Sequence, residues 1–396
     1  MLELNGKYNS AKVFTNNIDT ETILQVIQLL NMPYMSDCQT RIMPDCHAGR
    51  GCVIGTTIQL KDKVVPNLVG VDIGCGMLAV RLQEKEINLK LLDLIINSKV
   101  PSGFSIHERA IKKFNKLNDI FCDINIENSN KSIGTLGGGN HFIELDKDKN
   151  DNLWLVIHTG SRHLGIEVCK YYQDIGIKKS QKNGEREIIN DIIMKLKAEG
   201  RQKEIEETLK NFKLQNRFVI PNDLCYIEGE DFNSYIHDMA IVQEFAKLNR
   251  LTIRDIIVNY MNLHIVESFD TIHNYINMND MILRKGAISA RQGEKVLIPM
   301  NMRDGSLVCI GKGNSDWNYS APHGAGRILS RSKAMEKITI QEFKESMSDV
   351  YSTSVVESTI DESPMVYKPM AEIMENIGNT VEIFDIIKPI YNFKAH

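Results

Sequence analysis

Long apolar runs, a CxxC pair, a low-complexity linker and an excess of basic charge are all missing from this chain of 396 residues. No apolar stretch reaches the roughly 18 residues of a membrane-crossing helix, so no membrane association is expected. The opening "MLELNGKYNS" has no basic cluster ahead of an apolar core. No signal peptide is therefore expected, and a cytoplasmic location follows as the default. The formal net charge of −4 gives no global attraction for polyanions, so any nucleic acid must be gripped by a local patch. The eight cysteines follow no scaffold spacing, and a chain this long needs no stapling. They read as buried thiols or metal ligands, and the missing CxxC argues against the common structural zinc sites. Without a Pro/Ser/Gly divider, residues 1–396 are expected to form one large domain.

What is present is a mixture of strands and helices. Residues 40–80 alternate glycine turns with β-branched runs such as "CVIGTTIQL" and "NLVGVDIGCGMLAVRL". "INLKLLDLIINS" (87–98) has the apolar spacing of a short helix. "GTLGGGNHFIEL" (134–145) reads as a glycine loop entering a strand, and "LWLVIHTGSR" (153–162) as a buried strand ending in a polar turn. Residues of about 171–213 are rich in lysine and glutamate at helical spacing and read as a charged helical insertion. Residues 231–261 are strongly helical, and 282–331 return to strands and loops. Thr339 and Glu342 have the spacing of a capping box, and Pro369 and Gly378 bracket a further helix. Mixed rather than alternating elements argue for α+β, with β-sheets surrounded by helices, over a doubly wound sheet.

Ligand-type residues recur beside small residues at the tips of apolar runs. Asp72 and Cys75 lie in "VDIGCG", Asn140 and His141 in "GGGNH", and His158 in "HTGSR". His273 and Asn274 lie in "IHNY", Asp45 and His47 in "PDCHAGRG", and His323 in "PHGAGR". Tips of elements are where binding groups converge. His107, His237 and His264 stand alone and read as structural or exposed, and His396 is terminal. Cys38, Cys122, Cys169, Cys225 and Cys309 read as small core residues. Asp72, Cys75, His141, His158 and His273 together offer carboxylate, thiolate and imidazole, a set suited to Mn²⁺, Co²⁺ or Zn²⁺. Five ligands exceed one tetrahedral site and suit two ions sharing the thiolate. Such pairs, about 3.5–4 Å apart, recur in phosphoryl and nucleotidyl transfer. The residues alone point to two-metal phosphotransfer chemistry.

Taken in order, "MPDCHAGRG", "GVDIGCG", "GTLGGGNHF", "HTGSR", "HN", "RKGAISA", "IPMNM" and "HGAGR" resemble the RtcB family of GTP- and Mn²⁺-dependent RNA ligases. The match covers nearly the whole chain and is weakest over residues 171–230. The resemblance implies joining of RNA ends that carry a 2′,3′-cyclic phosphate or 3′-phosphate to 5′-hydroxyl ends, in RNA repair or tRNA splicing. It makes His323 the nucleophile that takes GMP from GTP, with Asp45 orienting its ring. It gives Asp72, Cys75 and His141 to one Mn²⁺, and Cys75, His158 and His273 to a second. It lines the GTP site with Asn140, His141, Phe142, Ile143, Glu144, His273, Asn274, Pro299, Met300, Asn301, Met302, Ser306, His323, Gly324, Ala325, Gly326 and Lys394, with Lys388 as the alternative terminal lysine. Arg162 and Arg327 are the expected contacts to RNA phosphates, since guanidinium forks fit phosphate. A monomer is expected, and an activating helper protein is left open.

The chain departs from the family pattern in two places. It has "SAPHGAGR" where the segment before the nucleophile usually ends in Ser-His, and "PMNM" where a Pro-Gly-Ser/Thr-Met turn is usual. Both resemble a divergent, RNA-repair branch. Two other readings use the same residues differently: a two-metal phosphohydrolase acting on nucleotides or RNA ends, and a non-catalytic RNA-binding protein.

Overall fold

A computed structural model describes residues 1–49, 51–209 and 220–395. Along the chain the elements are β1 (Leu2–Asn5), β2 (Ser10–Val13), α1 (Thr20–Leu30), β3 (Gln39–His47), β4 (Ile54–Gln59), β5 (Lys63–Val64), α2 (Pro66–Val69), β6 (Gly76–Leu82), α3 (Leu89–Lys99), α4 (Ile126–Ser132), β7 (Phe142–Lys147), β8 (Leu153–Thr159), α5 (Arg162–Ala198), β9 (Ile227–Glu228), α6 (Glu230–Met261), β10 (Ile265–Ile272), β11 (Asn274–Ile276), β12 (Ile282–Lys285), β13 (Ala287–Ser289), β14 (Lys295–Asn301), β15 (Gly305–Gly311), β16 (Ser320–Pro322), α7 (Arg331–Lys337), α8 (Ile340–Ser346), α9 (Met370–Ile377) and β17 (Val381–Phe393). The class is α+β.

Two sheets organise these strands. One has six strands in the order β1-β2-β3-β4-β12-β11. The other has seven, in the order β10-β6-β8-β7-β17-β15-β14. Pairing is antiparallel except between β2 and β3. The continuous apolar run of β8 follows from burial on both faces of its sheet. Leu153, Leu155 and Ile157 join one core, and Trp154 and Val156 join another. The two-residue period of a strand carries the same division through β6 and β7. Leu78 and Val80 sit with Ile143 and Leu145, whereas Met77 and Ala79 sit with Phe142.

Helix α6 spans two of the cores. Its buried positions Tyr235, Met239, Val242, Phe245, Arg250, Ile253 and Ile257 recur at three- to five-residue steps along one stripe. The first four apolar members pack into the core under the six-stranded sheet, and Ile253 and Ile257 into that of the seven-stranded sheet. Asn249 and Arg250, also fully buried, lie between these two groups. The other expected elements appear with shifted ends. The 87–98 helix is Leu89–Lys99, capped by Asn88, and the Thr339–Glu342 capping box is formed. The charged helix starts at Arg162 rather than near 171, directly from the polar turn after β8. Residues 210–213 of the expected insertion, and His396, lie outside the described residues. No helix among the described residues is long and apolar enough to cross a membrane.

Phe245 is fully buried, with its ring centroid 6.0 Å from that of Phe114. Phe245→Ala should cost about 3–5 kcal/mol, while Leu94→Ala, at a side chain 63% exposed, should stay within about 0.5 kcal/mol. Chemical denaturation midpoints of the two variants check this ordering.

Candidate metal centre and nucleotide cavity

The site forms where the two sheets meet. Cys75 immediately precedes β6, His141 immediately precedes β7, and His158 lies near the end of β8. His273 is the single residue between β10 of one sheet and β11 of the other. Two backbone bonds fix this crossing: His273 N–H donates to the Cys75 carbonyl at 2.9 Å, and Gly74 N–H to the Asn274 carbonyl at 2.7 Å.

Five side chains then converge. The Cys75 Sγ lies 3.3 Å from Nε2 of both His141 and His158. His158 Nε2 is 3.4 Å from His273 Nε2, and His141 Nε2 is 2.9 Å from Asp72 Oδ2. The far ring nitrogens settle the tautomers. His141 Nδ1 meets the Leu136 carbonyl at 2.9 Å, and His158 Nδ1 meets the Asn140 carbonyl at 3.1 Å. A carbonyl only accepts, so each Nδ1 carries the proton and each Nε2 points a lone pair inward.

These atoms compose two triads, Asp72–Cys75–His141 and Cys75–His158–His273, each with its donor atoms within 4.8 Å of one another. Metal–ligand bonds of about 2.0–2.3 Å set neighbouring donors roughly 3–3.7 Å apart, which is the spacing seen. Carboxylate, thiol and imidazole donor atoms at such distances fit a divalent cation once the thiol gives up its proton. Charging the imidazoles instead is disfavoured. Burial, and then the neighbouring imidazoles, push His158 well below the usual histidine range. Burial, then His323, does the same to His273. Burial and the nearby Asp72 carboxylate push the Cys75 thiol well up. Burial also raises Asp72, but its contacts with His141, Cys75 and His273 together outweigh this and hold it at about 2. Gly160 has no room for a side chain, because a Cβ there would collide with the Asp72 carboxylate.

His323 stands beside this cluster, its ring centroid 5.0 Å from that of His273. It follows β16, which pairs with β13. The fully buried Asp45 faces it from β3, and Asp45 Oδ2 accepts from His323 Nδ1 at 2.7 Å, from His323 N–H at 3.1 Å and from Gly324 N–H at 3.2 Å. An ionised carboxylate oxygen only accepts, so Nδ1 is the protonated nitrogen and Nε2 keeps the lone pair. Gly326 (φ 75°) lets the loop pass against the Asp45 carbonyl, where a Cβ would clash. Lys368 donates to the Pro44 and Asn17 carbonyls at 3.0 Å each, and so steadies the strand end that carries Asp45.

A cavity of about 860 Å³ opens on this group and is lined by His158, His273 and His323. Of the other expected nucleotide contacts, Asn140, Phe142, Glu144, Pro299, Met300, Asn301, Met302, Gly324, Ala325, Gly326 and Lys394 line it. His141 reaches the same region through the metal triad. Three do not line it. Ile143 points to the opposite face of β7 and packs in the core, as the strand period requires. Ser306 is fully buried within β15, and the Asn274 Oδ1 accepts from Gly286 N–H at 2.9 Å.

The terminal lysines separate clearly. Lys394 lies 3.2 Å from Glu362 and 5.4 Å from the centroid of the Phe142 ring, whereas Lys388 is exposed and pairs across the sheet with Lys147. Burial raises the Glu362 carboxyl, but Lys394, Tyr367 and Arg327 outweigh it and hold it below its ordinary value. Glu144 behaves oppositely. Burial raises it despite Asn392 and Lys394, and beside it Asp146, with neither carboxyl oxygen hydrogen-bonded, is driven well up by burial and by Glu144.

Of the two arginines, Arg327 lines the cavity, held by Glu362 at 3.2 Å and by the Leu329 carbonyl at 3.1 Å. Arg162 does not line it. Its guanidinium binds Thr135 Oγ1 at 2.9 Å and the Gly103 carbonyl at 2.7 Å, which ties the 102–105 turn to the glycine loop. His107, His237 and His264 instead meet the Gly134 carbonyl, Asp238 and Glu84. The five cysteines assigned to the core are buried, and none of them forms a disulfide. Sequence reasoning gave no role to His47, Arg331, Glu362 or Lys368, all of which line the cavity. His47 was visible beside Asp45. Its Nδ1 meets the Asp45 carbonyl at 3.0 Å, and burial lowers its proton affinity.

Comparison with known proteins agrees with this geometry. The profile of the family described as tRNA-splicing ligase RtcB matches residues 25–125 and 119–395. The RNA-splicing ligase RtcB of Escherichia coli K12 is 30% identical over 429 residues, covering 97% of each chain. The tRNA-splicing ligase RtcB of Aeropyrum pernix is 27% identical, covering 84% of this chain and 83% of its own. That of Nanoarchaeum equitans is 24% identical, covering 93% and 90%. Seam cluster, histidine–aspartate pair and full-length similarity lead to one assignment: the chain belongs to the RtcB family of RNA ligases.

Proposed function

We propose that this RNA ligase joins a 2′,3′-cyclic phosphate or 3′-phosphate end to a 5′-hydroxyl end, through a guanylyl–His323 intermediate drawn from GTP. The observation that carries the reading is the Asp45–His323 contact at 2.7 Å, which frees Nε2 to face the cavity beside the paired triads. Nucleophilic imidazoles are activated in this way by a buried carboxylate partner on the other nitrogen.

The Nε2 lone pair attacks the α-phosphorus of GTP, and the P–O electron pair leaves with pyrophosphate. Asp45 stays ionised and stabilises the positive charge that the ring gains. A cyclic phosphate end is first opened by water, whose oxygen bonds to phosphorus while the P–O2′ bond breaks and the 2′-oxygen takes the proton; an oxygen of the resulting 3′-phosphate then attacks the GMP phosphorus, and the N–P electrons return to His323. The 5′-hydroxyl oxygen next attacks the activated 3′-phosphorus and loses its proton, and GMP leaves. Asp72, Cys75 and His141 would hold one Mn²⁺, and Cys75, His158 and His273 a second. When bound, these ions supply Lewis acidity and neutralise phosphate charge. Phe142, Glu144, Asn301 and Lys394 offer an aromatic face and polar groups to the guanine. Arg327, already fixed by Glu362, would face phosphate, while Arg162 would act on the RNA through the loop it braces. In the relatives named above, RNA splicing is the named activity.

With α-labelled GTP and Mn²⁺, the wild type should keep label after denaturation and His323→Ala should keep none. Asp45→Asn should label at least about 100-fold more slowly, because the wrong tautomer is then favoured. Label persisting on His323→Ala would remove the histidine from the mechanism. Unlabelled wild type with phosphatase activity would point to a hydrolase.

The protonation states of the ligands also predict a pH dependence. Asp72 is held ionised and His158 and His273 neutral, whereas the buried Cys75 thiol keeps its proton and must lose it to ligate. Cation uptake near neutral pH should release about one proton per chain, and affinity should rise with pH. A pH-indicator titration giving no proton release would show that Cys75 does not ligate as thiolate.

A further inference from the structure

Arg250 has no exposed surface and lies midway along α6. Its guanidinium makes four hydrogen bonds in three directions. Nη1 donates to the Gly74 carbonyl at 2.7 Å and to the Thr159 carbonyl at 2.9 Å. Nε and Nη2 clasp the two oxygens of Asp270 at 2.7 and 2.8 Å. Gly74 lies between Asp72 and Cys75. Thr159 follows His158, and Asp270 precedes His273 by three residues on β10. One planar group is thus joined to each of three segments that deliver cluster ligands.

The preceding residue reaches the fourth segment. Asn249 Oδ1 accepts from the N–H groups of Gly134 and Thr135 at 2.7 and 3.1 Å. Its Nδ2 donates to the carbonyls of Thr135 and Gly160 at 3.0 and 3.1 Å. The 134–135 segment opens the glycine loop that ends at His141. Every ligand-bearing turn of both triads is therefore held from behind by two consecutive residues of one helix.

Neither side chain belongs to the triads or lines the cavity. We propose that Asn249 and Arg250 are positioning residues for the metal ligands, with Arg250 setting the spacing of the Asp72–Cys75 turn, His158 and His273. The inference rests on the reading of the cluster as a divalent-cation site. Productive ligand geometry has a tolerance of roughly 0.5 Å, and partners behind the ligands are what hold it. A lysine keeps the charge but lacks the planar fork that meets two carbonyls and a carboxylate at once.

The test uses the full chain loaded with Co²⁺ alone and reads the thiolate-to-cobalt absorption band, with no RNA or GTP present. Arg250→Lys should weaken Co²⁺ binding by about 10- to 100-fold and alter the band. Arg284→Lys is the structural control. Arg284 is equally buried and bonds Ser320, Tyr275 and the Asn318 and Tyr319 carbonyls, away from the triads. It should lower the melting temperature and leave Co²⁺ affinity unchanged. A folded Arg250→Lys with wild-type affinity and spectrum overturns the proposal. Should that variant fail to fold, Asp270→Asn decides: a weaker, altered band supports positioning, and an unchanged one overturns it. A wild type that takes up no Co²⁺ overturns the cation reading itself and this inference with it.

Discussion

Five metal-ligand side chains crowded at one seam between the sheets are the constraint around which this molecule is arranged. Nε2 of His141, His158 and His273 and the sulfur of Cys75 have neighbour separations of 3.3–3.4 Å, with the Asp72 carboxylate at one edge. The carbonyls of Leu136 and Asn140 fix two of the rings, and His273, whose Nδ1 has no hydrogen-bond partner among the described residues, is held through its backbone. The strand period then gives Phe142 and Glu144 to the same side as the cavity and sends Ile143 away from it.

The cavity is electrically uneven. Along one wall Arg327 stands against the buried Glu362 carboxylate, and Lys368 against the Pro44 carbonyl and, at 3.6 Å, Glu372. Along another, Glu144 lies where burial disfavours its charge, with the buried Asp146 two residues on along β7. A nucleotide is uneven too, with charged phosphates at one end and a neutral base with hydrogen-bonding edges at the other. His323, the proposed nucleophile, lies beside the triads, its ring centroid 5.0 Å from that of His273.

Much of this was legible in the sequence because the chemistry-bearing residues sit at strand ends beside small residues. "VDIGCG", "GGGNH", "HTGSR" and "PHGAGR" combine a ligand-type side chain with turn chemistry, and local sequence encodes both. The Thr339–Glu342 box and the 231–261 helix were readable for the same reason. What was not legible depends on distant packing. Ile143 lies inside the "NHFIE" run that resembles a nucleotide-binding motif, yet only the sheet's two-sided burial shows which way it points. Arg162 reads as a phosphate ligand until its loop partners, 27 and 59 residues away, are known. Glu362 and Lys368 occur in "DESPMVYKP", which carries no pattern at all. Asn249 and Arg250 look like ordinary polar residues on a helix, and nothing in their neighbours reveals that this part of the stripe is buried.

His273 carries a consequence of its own. It is at once a member of a triad and the only residue by which the chain steps from the seven-stranded sheet to the six-stranded one. A cation captured there would fasten the sheets to each other. Binding the closed seam rather than the opened chain, it would make loading the centre and cementing the architecture a single equilibrium.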